Sequence, residues 1–234
     1  MRPELTSFPP GGIAVVVGAS GGIGAALVDA LTECSSFAAI IGLSRATLDL
    51  RDETTIAASA AHLAALGTPR LIIAATGVLH AGRLQPEKSW QHLDPALLAE
   101  TFAINAIGPA LLMKHYLPLL PVEGKAVFAT LSARVGSIGD NRLGGWYGYR
   151  ASKAALNQFV RTAAIELHRR HRQAICVALH PGTVETRLSS KFGKSGLDVQ
   201  TPAVSADRLL RVIDGLRAVD NGNFYDHHGV SIPW

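Results

Sequence analysis

The segment YGYRASK, Tyr147 to Lys153, holds the side chains whose types and spacing are best suited to chemistry. Tyr149 stands four residues before Lys153, so on a helix the two side chains share one face. Tyr147 stands six residues before Lys153 and is expected to pack or to line a substrate pocket. A free phenol has a pKa of about 10, and a neighbouring ammonium lowers that value. The pair predicts an acid/base catalyst for a carbonyl or alcohol, with Lys153 tuning Tyr149.

A glycine-rich turn follows the first predicted strand. Gly18, Gly22 and Gly24 in GASGGIG have the spacing G-x-x-x-G-x-G directly before a predicted helix. Glycine permits a tight turn and lets the backbone approach a phosphate, while the start of the helix offers free N–H groups. The turn therefore predicts a site for the pyrophosphate of a dinucleotide.

The residues after the second predicted strand bear on which dinucleotide binds. An acidic residue about twenty positions beyond the glycines would hold the ribose 2′-hydroxyl of NAD. Ser44 and Arg45 stand there instead. Because a guanidinium pairs with a 2′-phosphate, the sequence favours NADP(H) over NAD(H). Asp49 follows in a short extended piece, where it either accepts a hydrogen bond from the adenine amino group or caps the next helix.

Short apolar runs alternate with helical patterns along the chain. The predicted strands are 13–18, 38–43, 70–75, 125–131 and 174–179, with a possible edge strand at 223–229. The predicted helices include 24–33, 52–66, 94–117 and 149–170. We predict one α/β domain over residues 1–234, a Rossmann-type doubly wound parallel sheet with helices on both faces. The expected strand order is 3-2-1-4-5-6 with a seventh strand added.

Four motifs, in this order, resemble the short-chain dehydrogenase/reductase family over essentially the whole chain. They are GASGGIG, NAIG at 105–108, YRASK at 149–153 and HPGTVET at 180–186. The stretch GSIGDNRLGGWYGYRASKAALN is most similar to the branch of C-factor-like proteins and related carbonyl reductases. The resemblance implies that Asn105 holds a helix distortion and a water linked to Lys153. It also implies that Lys153 hydrogen-bonds the nicotinamide ribose.

The same resemblance implies that PGxxxT, with Thr186 and nearby backbone groups, holds the nicotinamide carboxamide; an ordinary Pro-Gly turn is the alternative. The predicted cofactor contacts are Gly18, Ser20, Gly22, Ile23, Gly24, Ser44, Arg45, Asp49, Leu50, Ala75, Gly77, Tyr149, Lys153, Pro181, Gly182, Val184 and Thr186.

The chain departs from the family pattern at the serine that would bind the substrate oxygen. Ser132 is the natural candidate, but counting back from Gly136 places the family's serine at Ala133. One residue of offset turns a strand side chain to the other face unless a bulge restores it, and Ser137 is a second candidate. Two smaller departures, Val17 and the run Ala74-Ala75-Thr76-Gly77, remove polar side chains expected beside the cofactor.

The sequence thus predicts an NADP(H)-dependent oxidoreductase with a catalytic set of Tyr149, Lys153, Ser132 and Asn105. One alternative is an NADP(H)-binding regulatory or signalling protein of C-factor type with little catalytic activity. Another is an enzyme that reduces activated double bonds or epimerises its substrate.

The substrate pocket and the assembly are predicted in outline. The pocket walls are expected from 134–147 and 187–202. Apolar Trp146, Tyr147, Leu188 and Phe192 suggest a partly apolar small-molecule substrate, with Arg142 or Arg187 as the anionic anchor if there is one. The resemblance implies a homodimer or homotetramer formed through the long helices at 94–117 and 149–170.

Composition argues against several other classes of function. The net charge is +4, but the densest basic run, 168–172, lies at a predicted helix end without interleaved aromatic residues, so no nucleic-acid partner is expected. Cys34, Cys176 and nine scattered histidines lack metal-ligand spacing, so no metal is expected. We expect no membrane span and no secretory signal, and hence a cytoplasmic protein.

Overall fold

A parallel sheet of six strands forms the centre of the computed structural model, which describes residues 4–188 and 198–234. In chain order the strands are β1 (Ile13–Val17), β2 (Ala39–Leu43), β3 (Pro69–Ala74), β4 (Ala126–Leu131), β5 (Ala174–His180), β6 (Thr183–Val184), β7 (Val199–Gln200) and β8 (Phe224–Asp226). The sheet has the order β2-β1-β3-β4-β5-β8, and β6 pairs with β7 separately. This confirms the predicted doubly wound parallel fold and the predicted edge strand near the end of the sequence.

Helices cover both faces of the sheet. They are α1 (Gly22–Thr32), α2 (Glu53–Leu66), α3 (Pro95–Phe102), α4 (Gly108–Tyr116), α5 (Tyr147–Leu167) and α6 (Pro202–Gly215). Alternate residues of each strand point to opposite faces. One set packs with α2, α4 and α5, and the other packs with α1 and α6. The strands are therefore buried on both sides, which accounts for their continuous apolar sequence.

The segment after β2 forms a turn, in which the carbonyl of Ser44 accepts hydrogen bonds from the amides of Thr47 and Leu48. The sheet consequently ends at β2. Helix α2 is capped by Asp52, whose side chain accepts from the amide of Thr54, so the capping role considered for Asp49 is wrong.

The helix predicted over 94–117 contains an irregular turn. A π-helical segment, Ala103–Ile107, separates α3 from α4 and has Asn105 at its centre. Single π-helical turns inside longer helices often mark functional sites. The helix distortion expected at Asn105 is therefore confirmed.

Contrary to the expectation of no membrane span, the run Pro95–Leu119 is long and apolar enough to cross a membrane, by length and composition only. Its buried side chains Leu112, Met113 and Tyr116 pack in the core on one face of the sheet. Packing against the sheet accounts for the apolar side chains of this run that are buried.

The order of the strands creates the position for a ligand. The chain passes from β1 outward to β2 and then returns across β1 to begin β3 on the other side. Ligands of open α/β sheets bind at such a reversal, beyond the carboxyl ends of the strands. The loops that follow β1, β3, β4 and β5 meet at this edge.

Candidate active site

Tyr149 and Lys153 lie one turn apart on α5, as the sequence predicted. Lys153 is only 2% exposed, and its Nζ donates to the carbonyl oxygen of Leu131 at the end of β4 over 2.8 Å. Nζ also lies 6.0 Å from the centre of the Tyr149 ring. Burial lowers the pKa of Lys153 to about 8, because the surroundings disfavour the charged ammonium.

The pKa of Tyr149 moves in the direction opposite to the one that the sequence predicted. Burial raises the pKa of this phenol to about 12, although part of the residue remains accessible to solvent. Desolvation disfavours the phenolate, and the Lys153 ammonium that would oppose this effect is directed to Leu131. The Tyr149 phenol is therefore neutral at physiological pH.

Asn105 ties the π-helical segment to the loop after β3. Its Oδ1 accepts from the amide of Val78, and its Nδ2 donates to the carbonyl of Val78, both over 2.8 Å. Nδ2 also donates to Oγ of Ser152 over 3.2 Å, and that hydroxyl donates to the carbonyl of Tyr149 over 2.9 Å. The fully buried Asn105 thus connects the loop after β3 to the turn of α5 that carries Tyr149.

Asn105 and Lys153 also converge on Gly77. A Cβ added at Gly77 would lie 3.4 Å from Nζ of Lys153 and 3.5 Å from Oδ1 of Asn105. Three residues predicted from separate motifs are therefore neighbours in space. The water that the family resemblance implies between Asn105 and Lys153 stays a prediction.

The hydroxyl of Ser132 has a hydrogen-bond partner within the protein. The residue is 3% exposed and lies on the sheet face covered by α5, and its Oγ donates to Oδ1 of Asn157 over 2.6 Å. A hydroxyl has one proton to donate, so this proton is used inside the protein rather than at the substrate. The Ser132 side chain therefore points towards Asn157 on α5. Ser132 joins β4 to α5.

The second serine candidate is also engaged within the protein. Ser137 is 1% exposed, and its Oγ accepts from the amide of Asp140 over 3.1 Å. Ala133, which occupies the position expected from the count back from Gly136, is partly exposed but has no hydroxyl. Ser132 thus donates its proton to Asn157, and Ser137 is almost completely buried.

The glycine turn after β1 fits a dinucleotide. Gly18 has a φ of +92°, and a Cβ there would lie 2.7 Å from the carbonyl oxygen of Ala75. A Cβ at Gly24 would lie 2.1 Å from the oxygen of Gly18, so the turn closes on itself. The N-cap of α1, Gly21, provides no side-chain acceptor, and the first turn has no acidic residue. The backbone N–H groups in the first turn of α1 and the positive end of the α1 dipole are therefore available to an anion.

An unpartnered hydroxyl lies beside the same turn. Oγ1 of Thr76 is buried and has no hydrogen-bond partner among residues 4–188 and 198–234. The Thr76 methyl group lies 3.2 Å from where a Gly18 Cβ would stand. A buried polar atom of this kind calls for a ligand group or a water, so the loop Ala74-Ala75-Thr76-Gly77 keeps one polar contact for a cofactor.

The loop after β5 approaches the glycine turn from the other side. The carbonyl of Pro181 accepts from Nε2 of Gln200 over 2.6 Å and from Oγ of Ser205 over 2.9 Å. The Thr186 methyl carbon lies 2.8 Å from where a Cβ of Gly22 would stand. The predicted pyrophosphate turn and the loop predicted to hold the carboxamide are therefore adjacent. Val184 is buried in β6, and Phe192 lies outside the described residues.

The residues predicted around the adenosine end are placed as follows. Arg45 is exposed just beyond β2 and Ser44 is partly exposed. The Asp49 carboxylate pairs with Arg51 over 2.8 Å, and hydrogen bonds from Arg51 lower its pKa to about 2. The Leu50 side chain is buried against Gly108, so Leu50 offers only its backbone to a ligand.

Several residues of the site were not predicted. They are Thr76, Glu87, Arg150, Ser152 and Asn157. Asn157 was open to prediction, since it follows Lys153 by four residues on the same helix face. The local sequence gave no indication of the role of Glu87, because its contact with Gly148 crosses 61 positions of sequence.

Among the described residues, no group of three His, Cys, Asp or Glu side chains is arranged to hold a metal.

Comparison with known sequences agrees with this geometry. Residues 14–211 match a family model described as Enoyl-(Acyl carrier protein) reductase. The chain is 41% identical to the C-signal protein of Myxococcus xanthus over 143 residues, 61% of this chain and 81% of that protein. It is 32% identical to the short-chain dehydrogenase srdF of Neurospora crassa over 195 residues, 80% of this chain and 74% of that protein.

Solved structures share the fold over nearly the whole chain. An NADPH-bound carbonyl reductase from chicken fatty liver superposes with a TM-score of 0.81 at 25% identity, covering 97% of this chain and 100% of that one. The carbonyl reductase Sniffer of D. melanogaster gives a TM-score of 0.80 at 23% identity, with the same coverage. The sequence matches and the shared fold place this chain in the short-chain dehydrogenase/reductase family of NAD(P)-dependent oxidoreductases.

Proposed function

We propose that this protein is an NADP(H)-dependent oxidoreductase of carbonyl and alcohol groups in which Tyr149 is the acid/base. One observation carries the proposal: Tyr149 and the buried Lys153 ammonium lie on the same face of α5, with Nζ 6.0 Å from the centre of the Tyr149 ring. The similarity to an NADPH-bound carbonyl reductase supports it. When bound, the dinucleotide supplies or accepts the hydride.

The state of Tyr149 favours reduction of a carbonyl. With a pKa of about 12, the phenol keeps its proton at neutral pH and donates it to the carbonyl oxygen as that oxygen becomes an alkoxide. The reverse reaction requires the phenolate. The Lys153 ammonium, which donates to Leu131 and lies 6.0 Å from the centre of the Tyr149 ring, would act on that phenolate through space while it is charged, below its pKa of about 8.

Four groups of this chain would hold the dinucleotide. The N-terminus of α1 would bind the pyrophosphate, and Arg45 would pair with the 2′-phosphate of NADP. Lys153 would bond the nicotinamide ribose, and Thr186 would hold the carboxamide, the roles that family membership implies. The adjacency of Thr186 and Gly22 supports this arrangement.

The substrate oxygen has fewer donors than the family pattern provides. Because Ser132 donates its proton to Asn157, Tyr149 is left to donate to the substrate oxygen without the second hydrogen bond that a serine would provide. Each donor aimed at a developing oxyanion contributes a few kcal/mol of transition-state stabilisation. We therefore expect turnover that is slow for this type of chemistry.

The substrate is proposed to be a partly apolar small molecule. Ile138 and Leu143 are highly exposed in the loop that leads into α5, and the partly buried Trp146 adds an aromatic surface. Such side chains suit an apolar group next to the reacting carbonyl.

A homodimer or homotetramer would form through the long helices, where Ile107, Phe159 and Ile165 are exposed. Sedimentation equilibrium would test that assembly.

A second candidate function rests on separate observations. The inward-facing Ser132 and the 41% identity to a protein named C-signal favour an NADP(H)-binding regulatory protein with little catalytic activity. Such a protein would bind the nucleotide through the same α1 turn. It would not depend on the Tyr149 hydroxyl.

Replacing Tyr149 by Phe distinguishes the two functions. Removing the acid/base should lower kcat/KM for carbonyl reduction by about 10²- to 10⁴-fold, while NADPH affinity changes little. Tyr147→Phe is the matched control and should retain activity. The assay is NADPH oxidation with a panel of ketones, aldehydes and enones. A wild-type protein that binds NADPH but reduces none of them would favour the regulatory function.

Replacing Arg45 by Ala tests cofactor preference. Titration of nicotinamide fluorescence should show NADPH binding about tenfold or more tighter than NADH, equivalent to about 1.4 kcal/mol. Arg45→Ala should abolish this preference, whereas Arg169→Ala, in the basic run after α5, should leave it intact. Equal affinities for the two nucleotides in the wild type would refute the assignment of Arg45.

Replacing Ser132 by Ala tests whether this serine serves structure or catalysis. Leaving Asn157 without its partner should reduce the free energy of unfolding by about 1–3 kcal/mol, with a loss of kcat below about tenfold. Urea denaturation and steady-state kinetics measure the two effects. Ser59→Ala, which removes a hydrogen bond to Tyr116 far from the site, is the control. A hundredfold loss of kcat at unchanged stability would restore Ser132 to the catalytic set.

A further inference from the structure

The helix that carries Tyr149 begins in an unusual way. Its N-cap, Trp146, has φ 52° and ψ 43°, and within residues 4–188 and 198–234 it is the only non-glycine residue with a positive φ. This residue makes no side-chain capping bond, and the first turn of α5 has no acidic side chain. A left-handed conformation at a bulky residue persists only where its surroundings hold it.

Glu87, in the loop between β3 and α3, provides the missing acceptors. Its main-chain oxygen accepts from the amide of Trp146 over 2.6 Å, and its Oε2 accepts from the amide of Gly148 over 3.0 Å. The residue is 8% exposed. One residue thus accepts from two N–H groups at the start of α5, and its carboxylate complements the positive end of the helix dipole.

The packing around Gly148 shows that the carboxylate has a defined place. A Cβ at Gly148 would lie 2.8 Å from Oε1 of Glu87 and 3.0 Å from Cδ2 of Leu98 in α3. Residue 148 must therefore be small for the carboxylate to reach the backbone. This contact accounts for the glycine between the two tyrosines.

The contact with Glu87 is adjacent to the catalytic tyrosine. Gly148 immediately precedes Tyr149, and the Trp146 ring meets the Tyr149 ring edge to face, with the ring centres 6.2 Å apart. The amide of Arg150 donates to the carbonyl of Trp146 over 2.8 Å, which fixes the other end of the same turn. A shift of Trp146 or Gly148 would therefore displace the phenol.

We infer that Glu87 is a positioning residue for Tyr149, acting through the backbone amides at the start of α5. This inference rests on the proposed role of Tyr149. The main-chain oxygen of Glu87 holds the amide of Trp146 and its carboxylate holds the amide of Gly148, so that the first turn of α5 presents the phenol in one orientation. A misplacement of about 1 Å lowers catalytic rates by about 10²-fold, so the effect on turnover should be measurable.

The test compares Glu87→Ala with Glu87→Gln, which retains an oxygen acceptor for the Gly148 amide. Glu87→Ala should lower kcat by about tenfold or more, with KM and NADPH affinity within about threefold of the wild type. The Gly148 amide should exchange its hydrogen about tenfold faster, measured by NMR. Glu87→Gln should restore both quantities to near wild-type values. Glu123→Ala, an exposed site before β4, is the control.

Three outcomes would overturn the inference. These are a kcat of Glu87→Ala within twofold of the wild type, unchanged exchange at the Gly148 amide, and an equal loss of kcat in the Gln and Ala variants. If Glu87→Ala does not fold, Glu87→Gln provides the test. In that variant the Gly148 amide must remain protected from hydrogen exchange. Its amide proton resonance must also shift, because the charged acceptor has been lost. The exchange measurement at the Gly148 amide needs no substrate. It therefore tests the Glu87 contact separately from the proposed role of Tyr149, which an active Tyr149→Phe variant would contradict.

Discussion

The burial of one ammonium group organises this site. Lys153 is buried between α5 and the end of β4, where its ammonium donates a hydrogen bond to the carbonyl of Leu131. Burying a charge is unfavourable unless it is paired or hydrogen-bonded. The neighbouring elements therefore have to supply polar groups at this point. The loop after β3 brings Gly77 to the ammonium, and the π-helical segment brings Asn105 to the same place.

The same arrangement separates the two titrating groups. Desolvation raises the pKa of Tyr149 and lowers that of Lys153, so the phenol is neutral and the ammonium is charged at neutral pH. In the proposed mechanism, the proton donor and the group that would stabilise its conjugate base lie on one face of α5. The family pattern adds a serine to this pair, whereas Ser132 of this chain donates its proton to Asn157. Under that mechanism, catalysis depends more heavily on how Tyr149 is held.

Local patterns in the sequence predicted the parts of the molecule that depend on local rules. Helical spacing placed Tyr149 and Lys153 on one face, and the strand-to-helix alternation gave the doubly wound sheet. The pKa of Tyr149 was mispredicted, because desolvation depends on packing from distant segments. Glu87 was missed for the same reason, since its contact crosses 61 positions.

The charge on Lys153 is the most direct quantity to measure. An NMR titration of the lysine ε-carbons, with the Lys153 resonance assigned by its absence in Lys153→Arg, reports the pKa without any substrate. The structure predicts a midpoint about 8, because burial disfavours the ammonium. Above that midpoint Lys153 is neutral and no longer stabilises a Tyr149 phenolate. A midpoint near the ordinary lysine value of about 10.4 would show that the ammonium is solvated, and would contradict this description of the site.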